Sequence, residues 1–303
     1  MALVVALTDQ TQLAARVAQQ LNLSLALCPP TKFSDGEVHV ALEDPSRFRG
    51  QTVVLVQSTC APVNETTLLV PFLVHELKNA GVTRVIGVIP YMGYSRQESS
   101  KATGKSGSGW VVAQMLERAG LDELFILELH EPALKDFFTI PVHDMLARDE
   151  IAQHIRATFS DLKSVCIVAP DEGAQSMATD VAKPLGVTTM VFQKERYAPD
   201  KTRLVGSVGH AGANDGKIAI IVDDIIDTGG TAINVCDALK RQGFEKVFGY
   251  FVHPVFSGNA CDKIEKSGFD TVFVSNSIPV RHTKNIDIVD VSALIAHHVS
   301  AVL

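Results

Sequence analysis

Residues 222–231 read Val-Asp-Asp-Ile-Ile-Asp-Thr-Gly-Gly-Thr, and this stretch decides the interpretation of the chain. An apolar run over residues 218–222 meets two carboxylates, Asp223 and Asp224, and a helical pattern follows over residues 232–242. The pattern predicts a buried strand that ends at residue 222, a small turn, and a helix. Because the first N–H groups of a helix are unpaired and its dipole favours anions, we expect this turn to bind a phosphate.

The carboxylates in this stretch would repel a phosphate unless they bind something else, such as sugar hydroxyls or a divalent cation. A plainer alternative stays open from the residues alone. Asp227 or Thr228 could cap the helix, and the acidic pair could simply be solvated.

Composition limits the classes of function. The chain has 303 residues, a net charge of −7 and 46% hydrophobic residues, which is typical of a globular protein with about two domains. The negative charge predicts no nucleic-acid binding. No apolar run reaches the ~20 residues that span a membrane, and we interpret residues 1–7 as a first strand and not as a signal peptide. The five cysteines are scattered, which favours reduced thiols and a cytoplasmic location.

Strand and helix patterns alternate along the chain. Asn64 is expected to cap one of the helices. That helix has the apolar stripe Leu68, Leu69, Phe72, Leu73 and Leu77. Alternation of this kind predicts an α/β fold with mainly parallel sheets flanked by helices. The pattern restarts after residue 141, which predicts two similar domains, residues 1–147 and 148–303. Strands are predicted at residues 3–7, 52–57, 84–90, 124–129, 164–169, 188–192, 217–222, 246–251 and 271–275.

Polar segments recur beside these strand patterns. In open α/β sheets ligands lie outside the carboxyl ends of the strands, so we expect the segments to converge on one site. They are residues 33–37 (Phe-Ser-Asp-Gly-Glu), 94–97 (Tyr-Ser-Arg-Gln), 128–130 (Glu-Leu-His), 170–174 (Pro-Asp-Glu-Gly-Ala) and 193–197 (Gln-Lys-Glu-Arg-Tyr).

Residues 222–231 resemble the ribose-5-phosphate loop that type I phosphoribosyltransferases share with ribose-phosphate pyrophosphokinases. Together with the other segments, the chain resembles the pyrophosphokinase family over essentially its whole length. The resemblance implies two type I phosphoribosyltransferase-like domains, the first on the nucleotide side. It also implies that the diphosphate of ATP passes to the 1-hydroxyl of ribose 5-phosphate, giving AMP and a product for nucleotide, histidine and tryptophan biosynthesis. Mg²⁺ would be the cofactor, and the protein would be a homohexamer built from dimers that share active sites.

The resemblance implies which residues bind ATP. Phe33, Asp35 and Glu37 match a loop that receives adenine, and in this family that loop comes from a neighbouring subunit. Phe33 would stack on the base, unless it is a core residue. Arg96 and Gln97 match the pair that holds the nucleotide, a task that suits the forked donors of a guanidinium. For Arg96 the alternative is a surface salt bridge.

His130 and Asp171 match the magnesium ligands of the family, and His130 would also contact ATP. Imidazole is not the first choice of Mg²⁺, so the residue type alone favours a hydrogen-bonded core histidine. Asp171, Glu172, Gly173 and Ala174 resemble the loop that cradles diphosphate, where a glycine permits close backbone approach.

Lys194 and Arg196 are the predicted catalytic residues. In this family the matching segment is a mobile loop whose lysine and arginine close on the transferring phosphates, and phosphoryl transfer needs such neutralisation of charge. Without the resemblance, Lys-Glu-Arg is typical of a solvated hairpin face.

The resemblance also implies the roles of the opening stretch. Asp223 and Asp224 would engage the ribose 2- and 3-hydroxyls or a second Mg²⁺. Asp227 would lie near the 5-phosphate. The groups that bind this phosphate would be those of Thr228, Gly229, Gly230 and Thr231.

Several positions depart from the family pattern. Ser99 and Ser100 replace two basic residues after the Arg-Gln pair, Glu172 replaces a histidine, and Glu195 replaces an arginine. The chain also ends directly after its last predicted helix, so we expect weak regulation by phosphate and ADP. These departures leave open a non-catalytic regulatory paralogue of the synthetase, and the opening stretch alone leaves open a phosphoribosyltransferase.

Overall fold

A computed structural model describes residues 1–7, 11–96, 107–198, 201–208, 217–280 and 283–303, with the backbone alone for residues 11, 194–198 and 201–208. The chain divides into two compact units. The first comprises Met1–Leu146, Ser277–Pro279 and Asp290–Leu303, and the second comprises Ala147–Asn276 and Val280–Val289. The C-terminal segment Asp290–Leu303 lies in the first compact unit, whereas the predicted second domain, residues 148–303, includes it.

The first unit contains a six-stranded sheet in which every neighbouring pair of strands is parallel. Its strands, in spatial order, are β2 (Leu25–Leu27), β1 (Ala2–Ala6), β5 (Thr52–Val56), β6 (Arg84–Ile89), β7 (Glu123–Leu127) and β8 (Val142–Met145). A separate antiparallel hairpin pairs β3 (Thr31–Lys32) with β4 (Val38–His39). The helices of this unit are α1 (Thr11–Gln20), α2 (Val63–Asn79), α3 (Ser108–Ala119) and α8 (Ser292–Ser300).

The apolar stripe of α2 differs from the prediction. Leu69, Leu73 and Leu77 are buried in the core of the first unit, whereas Leu68 and Phe72 are 39% and 41% exposed. The helix thus buries a narrower face than its composition suggested.

Asn64 does not cap α2, which corrects the prediction. The helix begins at Val63, its N-cap is Pro62, and no side chain bonds to its first N–H groups. Proline has a fixed φ that suits a helix start, so the helix begins before Asn64 is reached. The Asn64 side chain is left for another contact.

The second unit contains a seven-stranded sheet that is parallel except for one edge pair, β10 with β11. Its strands, in spatial order, are β11 (Lys201–Val208), β10 (Thr188–Ala198), β9 (Val165–Ala169), β12 (Ile218–Ile226), β13 (Lys246–Pro254), β14 (Thr271–Ser275) and β15 (Ile286–Val289). The helices are α4 (Arg148–Thr158), α5 (Gln175–Leu185), α6 (Gly230–Arg241) and α7 (Ala260–Glu265). The predicted α/β class with two mainly parallel sheets is confirmed.

An aromatic cluster surrounds His154 of α4 in the second unit. The His154 Nδ1 atom lies 2.6 Å from the buried Tyr250 hydroxyl, and the ring centroids of His154 and Phe273 are 5.2 Å apart. Burial lowers the pKa of His154 below its ordinary value, and the Asp287 carboxylate opposes this effect. The folded protein therefore favours the neutral imidazole.

We expect His154 to make the stability of the protein depend on pH. The unfolded chain takes up a proton at His154 more readily than the folded chain, so stability is retained above the ordinary pKa of 6.5 and falls as the pH drops through the lower folded value. When the pH is lowered from about 7.5 to about 5.5, the thermal midpoint of His154→Gln should therefore fall less than that of the wild type. Far-UV circular dichroism measures this difference.

The control for this experiment is His297→Gln, which changes an exposed histidine of α8. Over the same pH change, the thermal midpoint of this variant should fall by as much as that of the wild type. An equal loss in the His154 variant and the wild type would contradict the assignment.

Candidate active site

The acidic pair of the opening stretch lies within β12 and not after it. We predicted that this strand ends at residue 222, but it continues to Ile226. Asp223 stands opposite Phe251 of β13, and Ile226 stands opposite Pro254. Ile226 is buried, so apolar residues beyond the carboxylates continue the ladder. The sheet backbone therefore holds both carboxylates in place.

Three carboxylates come together in the second unit. β9 and β12 are parallel neighbours, with Val168 opposite Ile221, and Asp171 follows the end of β9. Burial raises the pKa of the half-buried Asp223 carboxyl well above its usual range, and the carboxylates of Asp224 and Asp171 raise it further. The Asp224 N–H also donates to Asp223 Oδ1 at 3.0 Å.

This concentration of negative charge suits a cation or a set of hydroxyl donors. Mg²⁺ prefers carboxylate oxygens and is commonly bound by one or two carboxylates together with substrate phosphates. Each of the carboxylates of Asp171, Asp223 and Asp224 is the type of ligand that this ion prefers. In the part of the chain that the structure describes, no group of three or more histidine, cysteine, aspartate or glutamate side chains is arranged to hold a metal by itself.

The turn after β12 leads into a helix without a side-chain cap. The N-cap of α6 is Gly229, whose φ of +75° lies in the left-handed region, and not Asp227 or Thr228. The Ile233 N–H donates to the Gly229 carbonyl at 2.9 Å. Since glycine has no side chain to bond the first N–H groups of α6, this helix end suits a bound anion.

A second turn of this kind precedes α5. The Asp171 Oδ1 atom accepts the Ala174 N–H at 3.3 Å, and no side chain caps the helix at Ala174. Glu172 and Gly173 are exposed. A Cβ atom at Gly173 would lie 3.2 Å from Asp171 Oδ1, so the glycine leaves room beside this carboxylate.

In the first unit, Phe33 stands in the turn between β3 and β4. The Phe33 N–H donates to the Glu37 carbonyl at 2.8 Å, and Asp35 Oδ1 accepts the Glu37 N–H at 3.0 Å. Phe33 is 57% exposed, which excludes the alternative that it is a core residue. Its nearest aromatic neighbour is His39, at a centroid distance of 5.7 Å.

Arg96 is exposed in a tight turn after β6. Tyr94 has a φ of +65°, and the Gly93 N–H donates to Thr59 Oγ1 at 2.6 Å. A Cβ atom at position 93 would lie 2.6 Å from the Thr59 carbonyl oxygen. The backbone before Arg96 is therefore tightly specified. Its predicted partner Gln97 lies outside the described residues.

His130 follows the end of β7 and is exposed, which excludes the alternative of a core histidine. We predicted that this strand reaches residue 129, but it ends at Leu127. Glu128 then turns the chain with a φ of +42°, and the Leu129 N–H donates to Asp144 Oδ1 at 2.9 Å.

Lys194 and Arg196 lie within β10, whereas we predicted that they follow a strand. Lys194 stands opposite Leu204 of β11 and Arg196 opposite Thr202, and the register shifts after Gln193. The side chains of Lys194, Glu195 and Arg196 lie outside the description, as do Ser99 and Ser100.

Sequence reasoning missed a run of buried polar residues beside the Arg96 turn. Gln57, Ser58 and Thr59 follow β5 and are almost fully buried. The Ser58 hydroxyl accepts the Tyr91 N–H at 3.0 Å, as Thr59 does for Gly93. The sequence could have indicated this run, because small polar residues at the end of an apolar strand can offer their hydroxyls to a neighbouring loop.

Two known domain families match the chain. A sequence profile of the N-terminal domain of ribose phosphate pyrophosphokinase matches residues 2–120. A profile of the phosphoribosyl synthetase-associated domain matches residues 201–303.

Curated relatives match along nearly the whole chain. A ribose-phosphate pyrophosphokinase of Ralstonia nicotianae is 36% identical over 271 residues, which cover 89% of this chain and 84% of that protein. The protein of the same name from Chromobacterium violaceum is 35% identical, over 95% of this chain and 88% of its own length. Among solved structures, phosphoribosylpyrophosphate synthetase from Mycobacterium smegmatis has a TM-score of 0.88 at 27% identity and covers 99% of this chain and 98% of that chain.

The left-handed conformation of Gly229 predicts a position-specific cost of adding a methyl group. Gly229→Ala should lower the free energy of unfolding by about 1–2 kcal/mol, because a Cβ atom is strained there. Gly230→Ala is the matched control, since this residue begins α6 and the nearest atom to its Cβ lies 3.8 Å away. It should change the stability little. Denaturant titration followed by circular dichroism measures both, and equal losses would contradict the role of the left-handed turn.

Proposed function

The chain belongs to the ribose-phosphate pyrophosphokinase family, and from that premise we propose how its own residues carry out the reaction. The protein transfers the diphosphate of ATP to the 1-hydroxyl of ribose 5-phosphate, giving 5-phosphoribosyl 1-diphosphate and AMP. The assignment of residues rests on one observation in the second unit. There, an uncapped helix start at Gly229 follows a strand that bears Asp223 and Asp224.

The turn at Gly229 binds the 5-phosphate of the sugar. Backbone N–H groups at the start of α6 and the hydroxyls of Thr228 and Thr231 donate to the phosphate oxygens. The carboxylates of Asp223 and Asp224 accept hydrogen bonds from the ribose 2- and 3-hydroxyls. Phosphate and carboxylates thus face different parts of one substrate, and their mutual repulsion is reduced.

The turn of residues 171–174 receives the diphosphate through backbone N–H groups at the start of α5. The resemblance assigns Asp171 and His130 as the residues that would hold Mg²⁺, which when bound would neutralise phosphate charge. The Asp171 carboxylate suits this hard cation, whereas an imidazole such as that of His130 is a less usual ligand for it.

The nucleotide residues belong to the first unit. The exposed ring of Phe33 offers a face on which adenine can stack. Asp35 and Glu37 accept hydrogen bonds from the adenine amino group. Arg96 and Gln97 hold the nucleotide, and the forked donors of a guanidinium suit its phosphates.

In the transfer step, the 1-hydroxyl oxygen of the ribose attacks the β-phosphorus of ATP in line. The bond from that phosphorus to the oxygen that bridges the α-phosphorus breaks, AMP leaves with this oxygen, and the hydroxyl proton passes to solvent. Lys194 and Arg196 donate to the phosphate oxygens on which negative charge develops.

The cytoplasmic location stays a prediction. In the described residues no helix is long and apolar enough to cross a membrane.

We expect purified protein with ATP, Mg²⁺ and ribose 5-phosphate to form AMP. Lys194→Ala should lower kcat by about 100-fold or more, because a cation on the transferring phosphates is lost. Lys217→Ala, which changes an exposed residue directly before β12, should keep wild-type activity. A wild-type rate no higher than that of the Lys194 variant would contradict the proposal and support a non-catalytic paralogue.

A surface of the first unit supports the proposed homo-oligomer. The exposed positions of α2 are Asn64, Leu68, Phe72, His75 and Asn79, and none carries an Asp, Glu, Lys or Arg side chain. Trp110 and Val111 of the adjacent α3 are 44% and 49% exposed. In a two-fold dimer the same patch lies on both copies, so a patch whose fully exposed positions are uncharged can pair with itself. The charged residues Glu65, Glu76 and Lys78 of α2 are only partly exposed. We therefore propose this α2–α3 surface as a subunit interface of the hexamer.

Breaking this surface should reduce the size of the assembly. Leu68→Glu combined with Phe72→Glu would bring like charges together across the interface, so light scattering should show a lower mass than for the wild type. Leu27→Glu is the control, since Leu27 is exposed and apolar but lies on β2. A wild-type mass of one 32.7 kDa chain with full activity would contradict the oligomer.

A further inference from the structure

The first turn of α2 contacts both nucleotide segments of the first unit. Lys32, the residue before Phe33, places its Nζ atom 2.6 Å from Glu65 Oε2. The Tyr94 hydroxyl donates to Asn64 Oδ1 at 2.5 Å. Adjacent residues of one rigid helix thus bind two segments that are distant in sequence.

The hairpin that carries Phe33 is anchored through its second strand, where Val38 packs against the core of the first unit. It consists of the pairs Thr31–His39 and Lys32–Val38, and it forms a sheet separate from the six-stranded sheet. An isolated two-stranded hairpin is only marginally stable in water. The ion pair of Lys32 with Glu65 adds an anchor on the strand that leads directly into the Phe33 turn.

The backbone of the turn that carries Arg96 is held by contacts of its own. Its backbone is held at Gly93 by Thr59, and Tyr94 keeps a left-handed conformation that is costly for a residue with a bulky side chain. Such a conformation persists only where its surroundings specify it. The hydrogen bond to Asn64 fixes the far end of the Tyr94 side chain, two residues before Arg96.

Neither contact is needed to form α2 or the core. Asn64 is exposed and does not cap the helix. The side chains of Lys32 and Glu65 are 50% and 31% exposed, and ion pairs in such surroundings contribute little to stability. These contacts therefore act mainly on the positions of the two segments.

We propose that Asn64 and Glu65 are positioning residues for the nucleotide: Glu65 sets the hairpin of Phe33 through Lys32, and Asn64 sets the turn of Arg96 through Tyr94. This inference rests on the proposed function, since it takes each segment as part of an ATP site, the Arg96 turn in the site of its own chain and the Phe33 hairpin in that of a neighbouring subunit. Neither Asn64 nor Glu65 touches the substrate.

The test uses the full-length chain with two variants that each remove one contact. Lys32→Met keeps an unbranched side chain without the charge, and Tyr94→Phe removes only the hydroxyl. Each should raise the KM for ATP about 3-fold or more, as expected for a lost contact of this kind. The KM for ribose 5-phosphate and the thermal midpoint should stay at the wild-type values, and Lys32→Arg should restore the KM for ATP.

The matched control is Lys78→Met. Lys78 lies in the last turn of the same helix and forms a similar ion pair with Asp122 at 2.6 Å, so its removal should change neither KM. An unchanged KM for ATP in both Lys32→Met and Tyr94→Phe would overturn the inference. So would a parallel change of both KM values with a lowered midpoint, which indicates a structural role alone.

Equilibrium titration with a non-hydrolysable ATP analogue separates this inference from the proposed function. If the wild type makes no AMP but binds the analogue, weaker binding by both variants still supports the positioning role. If the wild type does not bind the analogue, the inference fails.

Discussion

The parallel pairing of β9, β12 and β13 is the constraint on which the chemistry of the second unit depends. Burial raises the pKa of Asp223, and the neighbouring carboxylates of Asp224 and Asp171 raise it further, so the charged form is unfavourable there. The backbone ladder opposes this repulsion, because β12 stays paired with β13 as far as Ile226. The same pairing brings two uncapped helix starts, those of α5 and α6, to the carboxyl ends of adjacent strands. Helix starts that suit an anion and acidic groups therefore lie side by side in a fixed arrangement.

The class of the fold and the central strands were predictable because parallel strands buried on both faces have continuous apolar sequences. The short outer strands β2, β8 and β15 were not predicted, since three or four residues carry too little pattern. The end of β12 was predicted wrongly because two carboxylates were taken as a strand end. Asn64 was predicted wrongly as a cap because the proline that precedes α2 has a stronger effect on where the helix begins.

The candidate site was predictable where residue type and position agree. The small turn before α6 is such a case, because an apolar strand, Thr-Gly-Gly-Thr and a helical pattern follow one another in the sequence. The accessible position of Phe33 was expected from the family resemblance and not from a local pattern. Contacts between segments were not predictable. Nothing in the local sequence near Tyr94 indicates that its hydroxyl binds Asn64, since this contact depends on how β6 and α2 pack. In the same way, the charge cluster of Asp171 and Asp223 follows from sheet order.

The central claim is that a diphosphate group moves as one unit from ATP to the 1-hydroxyl of ribose 5-phosphate. The most direct measurement uses ³¹P nuclear magnetic resonance of the wild-type protein with ATP, Mg²⁺ and ribose 5-phosphate. We expect AMP and a sugar diphosphate to appear in equal amounts, with both transferred phosphorus atoms in the sugar product. Formation of ADP with a sugar bisphosphate, or no change of ATP that depends on ribose 5-phosphate, would contradict the claim.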